Sequence, residues 1–286
     1  MTQGYSQRIK KEMASLRKSI LKLCSKSFIE RAVTARQAIR RIQLSTDMFF
    51  HPKEMKWYCP CCNLKFRRFI EGNFKEKPKR FNPRRYEHIR QDVLCPACRA
   101  LPRHRILAAW CDEHMNLLKS SRILYFAPEY SMMLWMKRKR ISCTTADLYK
   151  KADLKMDIQS TGLADNSYDV IFCNHVLEHV DDFRAALKEM FRILKPNGHF
   201  ICSFPMDPKI ELLDEDPEAQ TNADRIKRFG QNDHKRMFGM KAEQFLAETG
   251  FSVNTISGET FPEEILPVIG PADYDINRLF DCVKQQ

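Results

Sequence analysis

The chain has 286 residues, 11 cysteines and a formal net charge of +12, a size that suits one large core or two modest ones and excludes a small disulfide-stapled scaffold. No stretch approaches the roughly 18 consecutive apolar residues of a membrane span, and the N-terminus lacks the apolar core of a secretory signal, so the expected compartment is the cytoplasm, with reduced thiols. The charge is uneven: residues 1–121 hold 27 Lys or Arg against 10 acids, and residues 122–286 hold 21 against 26. A basic field of this kind suits RNA, an anionic lipid surface or a phosphorylated glycan precursor, and selects none of them; it also serves plain solubility.

Three regions follow: a basic helical segment at 1–56, a four-cysteine module with a linking helix at 57–118, and an α/β domain at 119–286. In the first, Ile9, Met13, Leu16, Ile20 and Leu23 recur at helical spacing over 5–28, opposite Arg8, Lys11, Lys18, Lys22 and Lys26. That pattern fits a helix lying on a membrane surface, giving peripheral contact, or one packed on its own domain or a partner. A second helix is expected over 31–43.

Cys59 and Cys62 are two residues apart, as are Cys95 and Cys98, and each pair opens with Cys-Pro. Two such knuckles deliver four thiolates to one tetrahedral zinc, which suits a structural rather than a catalytic metal. Cys61 offers an alternative to Cys62 as ligand. The charged, Pro-broken run at 75–88 reads as an exposed loop between the pairs, and 103–118 as a helix. Arg99, Arg103, His104 and Arg105 open that helix, placed either to bind phosphate or to anchor the module.

From Arg122 onward, apolar runs alternate with helical ones. Strands are expected at 122–127, 141–146, around 151–157, 168–173, 199–204, 251–257 and 279–284, with helices near 130–137 and 240–249. Between the strands at 168–173 and 199–204, Asp181 or Asp182 caps a helix that buries Phe183, Leu187, Met190 and Leu194 and stops at Pro196, Asn197 and Gly198. The polar insertion at 206–236 is long for a compact domain unless it lids or shapes a site.

In an open parallel sheet, ligands collect at the carboxyl ends of the strands, which here end in RILYFAPEYS, TTADLY, KMDIQ and YDVIFCNHVLEHV, followed later by LKPNG. This order resembles the class I S-adenosylmethionine-dependent methyltransferases over about residues 120–285. With the cysteine pairs, RHR and the APE loop, it is similar to uncharacterised bacterial members associated with surface polysaccharide synthesis. The resemblance implies a Rossmann-like seven-stranded α/β sheet beside an N-terminal helical and zinc-binding module, with S-adenosylmethionine as cofactor and structural zinc.

It further implies that the first loop, Ala127 to Ser131, lies under the methionine half of the cofactor. That loop contains no glycine, the residue that normally lets backbone approach a ligand. Glu129 would face the cofactor's amino group or stand as an exposed helix-start acid. Asp147 falls where the family grips the ribose hydroxyls, the other reading being an N-cap. Asp157 and Ile158 match the adenine contacts, and Asn174 a further cofactor contact. If the acceptor is a hydroxyl, His175 and His234 are the candidate bases, or else structural donors. Arg225 and Arg236 would meet an anionic acceptor, or else belong to a solvated basic loop.

The implied reaction is methyl transfer to a hydroxyl or other nucleophile of a glycan or small-molecule precursor. The alternatives are an RNA base methyltransferase, with RNA as partner, and a non-catalytic binding protein on a relic fold. His175, Glu178 and His179 also spell HVLEH, the HxxEH pattern of certain zinc peptidases. That chemistry needs a helix and a distant third ligand, whereas these residues lie between a buried strand and a capped helix.

Overall fold

In a computed structural model the chain is described over residues 39–70, 93–265 and 277–285, apart from 41, 45, 217, 219 and 220. Contacts divide it into two units, Met1–Phe50 and His51–Gln286. In the first, residues 46–50 are helical and Phe49 and Phe50 are exposed. The expected helix at 5–28 and the loop at 75–88 lie outside the described residues, and the helix expected at 31–43 does so for the most part.

The second unit begins with a hairpin of β1 (Trp57–Cys59) and β2 (Leu64–Phe66). An antiparallel bridge between Ile70 and Leu94 then brings the second cysteine pair beside the first. The linking segment forms two helices, α1 (Pro102–Glu113) and α2 (Met115–Ser120), broken at His114. Trp110 of α1 is buried, and its ring meets Phe172 edge-on with centroids 6.4 Å apart.

The core is a six-stranded sheet of β3 (Ile123–Phe126), β4 (Thr144–Ala146), β5 (Tyr168–Asn174), β6 (Leu194–Ser203), β9 (Phe251–Ile256) and β10 (Leu279–Lys284). Its order is β4-β3-β5-β6-β10-β9. Strands β3 to β6 are parallel neighbours, and β10 runs antiparallel between β6 and β9. All four residues of β3, and all but one of β5, are buried, which is why these runs are almost continuously apolar rather than alternating.

The strand expected around 151–157 is not formed. Leu154 makes one bridge to Ala146, and Asp153 turns back to accept hydrogen bonds from the Thr145 amide and hydroxyl at 2.9 and 2.7 Å. A segment whose carboxylate is spent on the neighbouring strand, flanked by Lys151 and Lys155, has no apolar row to extend the sheet. The central sheet therefore has six strands, not seven, among the described residues.

Helices α3 (Tyr130–Lys139), α4 (Phe183–Ile193) and α6 (Glu243–Glu248) match the periodicity of their segments. Asp182 caps α4 by accepting from the Ala185 amide at 2.9 Å, and Phe183, Ala186, Leu187, Met190 and Ile193 form its buried face. The helix ends at Ile193, and LKPNG opens β6 through an irregularity in the register with β5. Asn197 takes a positive φ of 60°, and a Cβ at Gly198 would lie 2.8 Å from the Lys195 carbonyl and 2.9 Å from that of Asp169. The insertion folds as β7 (Leu213–Glu215), α5 (Asn222–Phe229) and β8 (Arg236–Phe238), with β7 and β8 antiparallel. Among the described residues no helix is long and apolar enough to cross a membrane.

Candidate active site

A cavity of about 670 Å³ opens at the carboxyl ends of β3, β4 and β5. Its wall includes Ala127 after β3, Asp147 after β4, Asp157 and Ile158 from the following loop, and His175 after β5. Phe126, Ala146, Met156 and Val176 add an apolar lining. The insertion closes one side with Asn222, Arg225, Asn232, Asp233 and Lys235, so this polar stretch shapes the site as its length suggests.

Ala127 has a φ of +47°, the left-handed region a glycine would occupy without penalty. The glycine-free loop thus makes its turn with the smallest residue that carries a Cβ, held by an amide hydrogen bond to the Ala146 carbonyl at 2.8 Å. His175 has a φ of +52° and donates its amide to the Ser203 carbonyl at 2.8 Å. Left-handed backbone at non-glycine residues costs energy and tends to mark functional loops; here two such residues face one cavity.

Asp147 is buried, and its Oδ1 accepts from the Tyr149 and Lys150 amides at 2.8 and 2.7 Å. Among the described residues no hydrogen bond reaches Oδ2. One oxygen of this cavity-lining residue thus caps the turn. Asp157 accepts from the Gln159 amide at 2.9 Å, and the Gln159 side-chain nitrogen lies 3.0 Å from each of its oxygens. Gln159, which the motifs did not single out, also accepts from the Asp182 amide at 2.6 Å and ties the loop to the start of α4.

Glu129, Asn174 and His234 are not part of the cavity wall. Glu129 turns toward the cysteine module: His104 Nε2 lies 2.7 Å and Arg103 Nε 3.3 Å from its Oε1, and the Tyr125 hydroxyl donates to Oε2 at 2.8 Å. Burial pushes this carboxyl up, but His104, Arg103 and His175 outweigh it and hold the group well below the usual range. Asn174 Oδ1 accepts from the Ser203 hydroxyl at 2.9 Å, pinning β5 to β6.

Arg105 donates to the Val93 and Ala100 carbonyls at 2.8 Å each and to that of Ile265, while stacking 4.1 Å from the Phe69 ring. Arg103, His104 and Arg105 therefore anchor the module. Arg236 is likewise buried: it donates to the carbonyls of Leu177, Val180 and Asp181 at 2.7, 2.6 and 2.9 Å and pairs with Glu215. It clamps the turn after β5 to β8 and does not line the cavity.

That turn carries Glu178, whose carboxylate is fully buried. His175 Nδ1 lies 3.3 Å and His179 Nε2 3.7 Å from its Oε1, and neither oxygen has a hydrogen-bond partner among the described residues. Burial pushes the carboxyl up, but the surrounding histidines hold it down to about 2. His234 is also buried; burial, only partly offset by Glu178, lowers it to about 4, so it is neutral near pH 7.

The sulfurs of Cys59, Cys62, Cys95 and Cys98 are buried and lie within 4.8 Å of one another. The Cys59–Cys98 and Cys62–Cys95 separations are both 3.7 Å. Four thiolates about 2.3 Å from a tetrahedral zinc stand about 3.8 Å apart, so this donor set fits that ion. Cys61 is not one of the four and donates to the His104 carbonyl. The two knuckles share one turn: the Asn63 amide bonds to the Cys59 carbonyl and the Arg99 amide to that of Cys95, with φ of 59° and 60° at the two turn ends.

A mostly parallel sheet with a cavity at its carboxyl ends and an antiparallel strand inserted near one edge is a Rossmann-like α/β architecture. Residues 132–202, from α3 to the end of β6, match the methyltransferase domain family. Demethylmenaquinone methyltransferase of Listeria monocytogenes is 32% identical over 78 residues, which are 27% of this chain and 32% of that protein. An uncharacterised methyltransferase of Bacillus subtilis, YcgJ, is 35% identical over 57 residues, 20% of this chain and 22% of that protein. The chain thus spans a third or less of the length of these curated relatives. Among solved structures, the 1,6-didemethyltoxoflavin-N1-methyltransferase of Burkholderia thailandensis, with 1,6-didemethyltoxoflavin and S-adenosylhomocysteine bound, is 14% identical with a TM-score of 0.45, covering 64% of this chain and 79% of that one.

Proposed function

We propose that this chain is an S-adenosylmethionine-dependent methyltransferase acting on a hydroxyl or other nucleophile of a small-molecule or glycan-type, anionic acceptor. The observation that carries the reading is that Ala127, Asp147 and His175, after three neighbouring strands, and Asp157 and Ile158, from the loop after β4, line one cavity. Asp147 Oδ2 takes the ribose hydroxyls while Oδ1 keeps the turn. Ile158 flanks the adenine, Asp157 meets its amino group beside Gln159, and Ala127 lies under the methionine half.

When bound, the sulfonium supplies the methyl group, and this chain's residues orient the two reactants in line, an effect that contributes several kcal/mol. His175, on the wall and next to Glu178, is the residue placed to take the acceptor's proton. His234 stands behind the wall and supports it. Lys150 after β4 and Arg225 and Lys235 from the insertion, the last paired with Asp181, line the same cavity and suit an anionic acceptor. A structural zinc on Cys59, Cys62, Cys95 and Cys98 holds the module together.

Calorimetry with S-adenosylmethionine tests the cofactor; well-folded protein that gives no binding heat refutes the proposal. Incubation with radiolabelled donor and either cell-envelope glycan extract or total RNA then assigns the acceptor, label in glycan supporting the proposed class and label confined to RNA overturning it. Loss of the module's fold on zinc chelation, with metal lost in Cys59→Ser, tests the zinc.

A further inference from the structure

We propose that Glu178, His179 and His234 form a second metal site, binding one divalent transition-metal ion at the wall of the cavity, apart from the four-thiolate cluster. Each offers one ligand atom, and these atoms lie within 4.8 Å of one another. A metal with bonds of about 2.0–2.1 Å holds tetrahedral ligand atoms about 3.3 Å apart, so the side chains need close by only about 1–1.5 Å.

Three observations single out this cluster from an ordinary buried ion pair. Both oxygens of the Glu178 carboxylate are buried without a hydrogen bond among the described residues, and so is His234 Nδ1. Leaving such groups without hydrogen bonds costs about 1–3 kcal/mol each, and one cation satisfies them together, where His175 and His179 reach Glu178 only at ion-pair distances of 3.3 and 3.7 Å. His179 places Nδ1 3.1 Å from the Asp233 carbonyl, which leaves Nε2 as the lone-pair nitrogen toward Glu178. That backbone partner on the far nitrogen is the usual support of a metal-binding histidine.

The scaffold is also rigid. Arg236 binds three carbonyls of the turn, and the Lys235 amide donates to the Glu178 carbonyl at 2.8 Å, which sets His234 against the turn. His179 and His234 rings meet edge-on with centroids 4.8 Å apart. The HxxEH spacing noted in the sequence thus supplies two ligands from a turn rather than a helix, and the insertion delivers the third.

Two imidazoles and one carboxylate select zinc or iron-group ions over magnesium or calcium, which prefer oxygen. His179 lines the cavity, so open coordination positions face the same space as His175. Resting on the transfer proposed above, an acceptor oxygen bound there becomes more acidic; the metal binding itself does not depend on that reading.

The test uses the full chain, stripped by chelator, then titrated with Co²⁺ and followed by its visible spectrum and by metal analysis. About two ions per chain are expected, one with sulfur charge-transfer bands and one with only weak nitrogen/oxygen bands. His179→Ala/His234→Ala and the milder Glu178→Gln should lose the second spectrum and keep the first. A wild-type chain showing sulfur bands alone overturns the site, without need of any variant. So does a second spectrum that persists in the double variant. Calorimetry with S-adenosylmethionine on the metal-loaded protein runs beside it: absent cofactor binding there strikes the methyltransferase proposal and leaves the metal count standing.

Discussion

His104 Nε2 lies 2.7 Å from Glu129 Oε1, so the helix after the second cysteine pair is joined to the first loop of the sheet domain by one short hydrogen bond. His104 Nδ1 accepts from the Leu101 amide at 3.0 Å, which assigns the remaining ring proton to the nitrogen facing Glu129. The carboxylate is spent on holding the module. Glu129→Gln should lower the unfolding free energy by about 2–4 kcal/mol in urea denaturation. The affinity for S-adenosylmethionine should stay within about threefold, under 1 kcal/mol. A tenfold loss of affinity in a well-folded variant would return Glu129 to the cofactor.

Asp147 caps a turn through Oδ1 and lines the cavity, and on the proposed reading Oδ2 is left for the ribose. Asp147→Asn keeps an acceptor for the Tyr149 and Lys150 amides but puts an amide nitrogen where ribose hydroxyls donate. Cofactor affinity should fall by roughly 10- to 100-fold, about 1.5–3 kcal/mol, with the melting curve nearly unchanged. Equal calorimetric affinities for wild type and variant would remove the ribose role.

Ala127 occupies left-handed backbone where glycine is at ease. Ala127→Gly should stabilise the fold by about 0.5–1 kcal/mol, the relief of strain exceeding the added freedom of the unfolded chain. Ala127→Val should destabilise it, since a branched side chain tolerates this φ least and intrudes on the cavity. Denaturant midpoints read both, and a Gly variant less stable than wild type contradicts the strain.

Glu189 fastens the loop after Asp157 to α4, accepting from the Thr161 amide at 2.8 Å and hydroxyl at 2.6 Å, and from Arg192 at 2.7 and 2.8 Å. The Arg192 hydrogen bond, against the opposing effect of burial and with help from Thr161, lowers its carboxyl from 4.5 to about 2. The folded state binds this proton less tightly than the unfolded chain. Its contribution is therefore complete above about pH 4.5 and is lost as the pH falls toward 2. Because Arg192 is partly solvated, Glu189→Gln should cost only about 1 kcal/mol at neutral pH and flatten the acid limb of stability in that window. Parallel acid limbs for variant and wild type would show that the pair contributes nothing.

The strands at 122–127, 168–173 and 279–284, the capped helix at Phe183 and the knuckles at Cys59 and Cys95 were legible beforehand, because each is written in local periodicity or fixed spacing. The strand expected around 151–157 was not formed beyond one bridge of Leu154 to β4, because the Asp153 carboxylate takes the Thr145 amide and hydroxyl. Asp147 and His175 came together at one cavity because they follow neighbouring parallel strands, and the loop after β4 brings Asp157 and Ile158 to the same wall.

Patterns of a few residues follow from helix and strand geometry, and they carry both the α/β order and the paired cysteines. Whether Glu129 would face the cavity or His104, whether Cys61 or Cys62 would join the sulfur cluster, and that His234 would meet Glu178 depended on how distant segments dock. Such contacts join residues 25 to 56 positions apart, and no local period encodes them. They are settled only when β3 and α1, or the turn after β5 and the end of the insertion, bury their surfaces against each other.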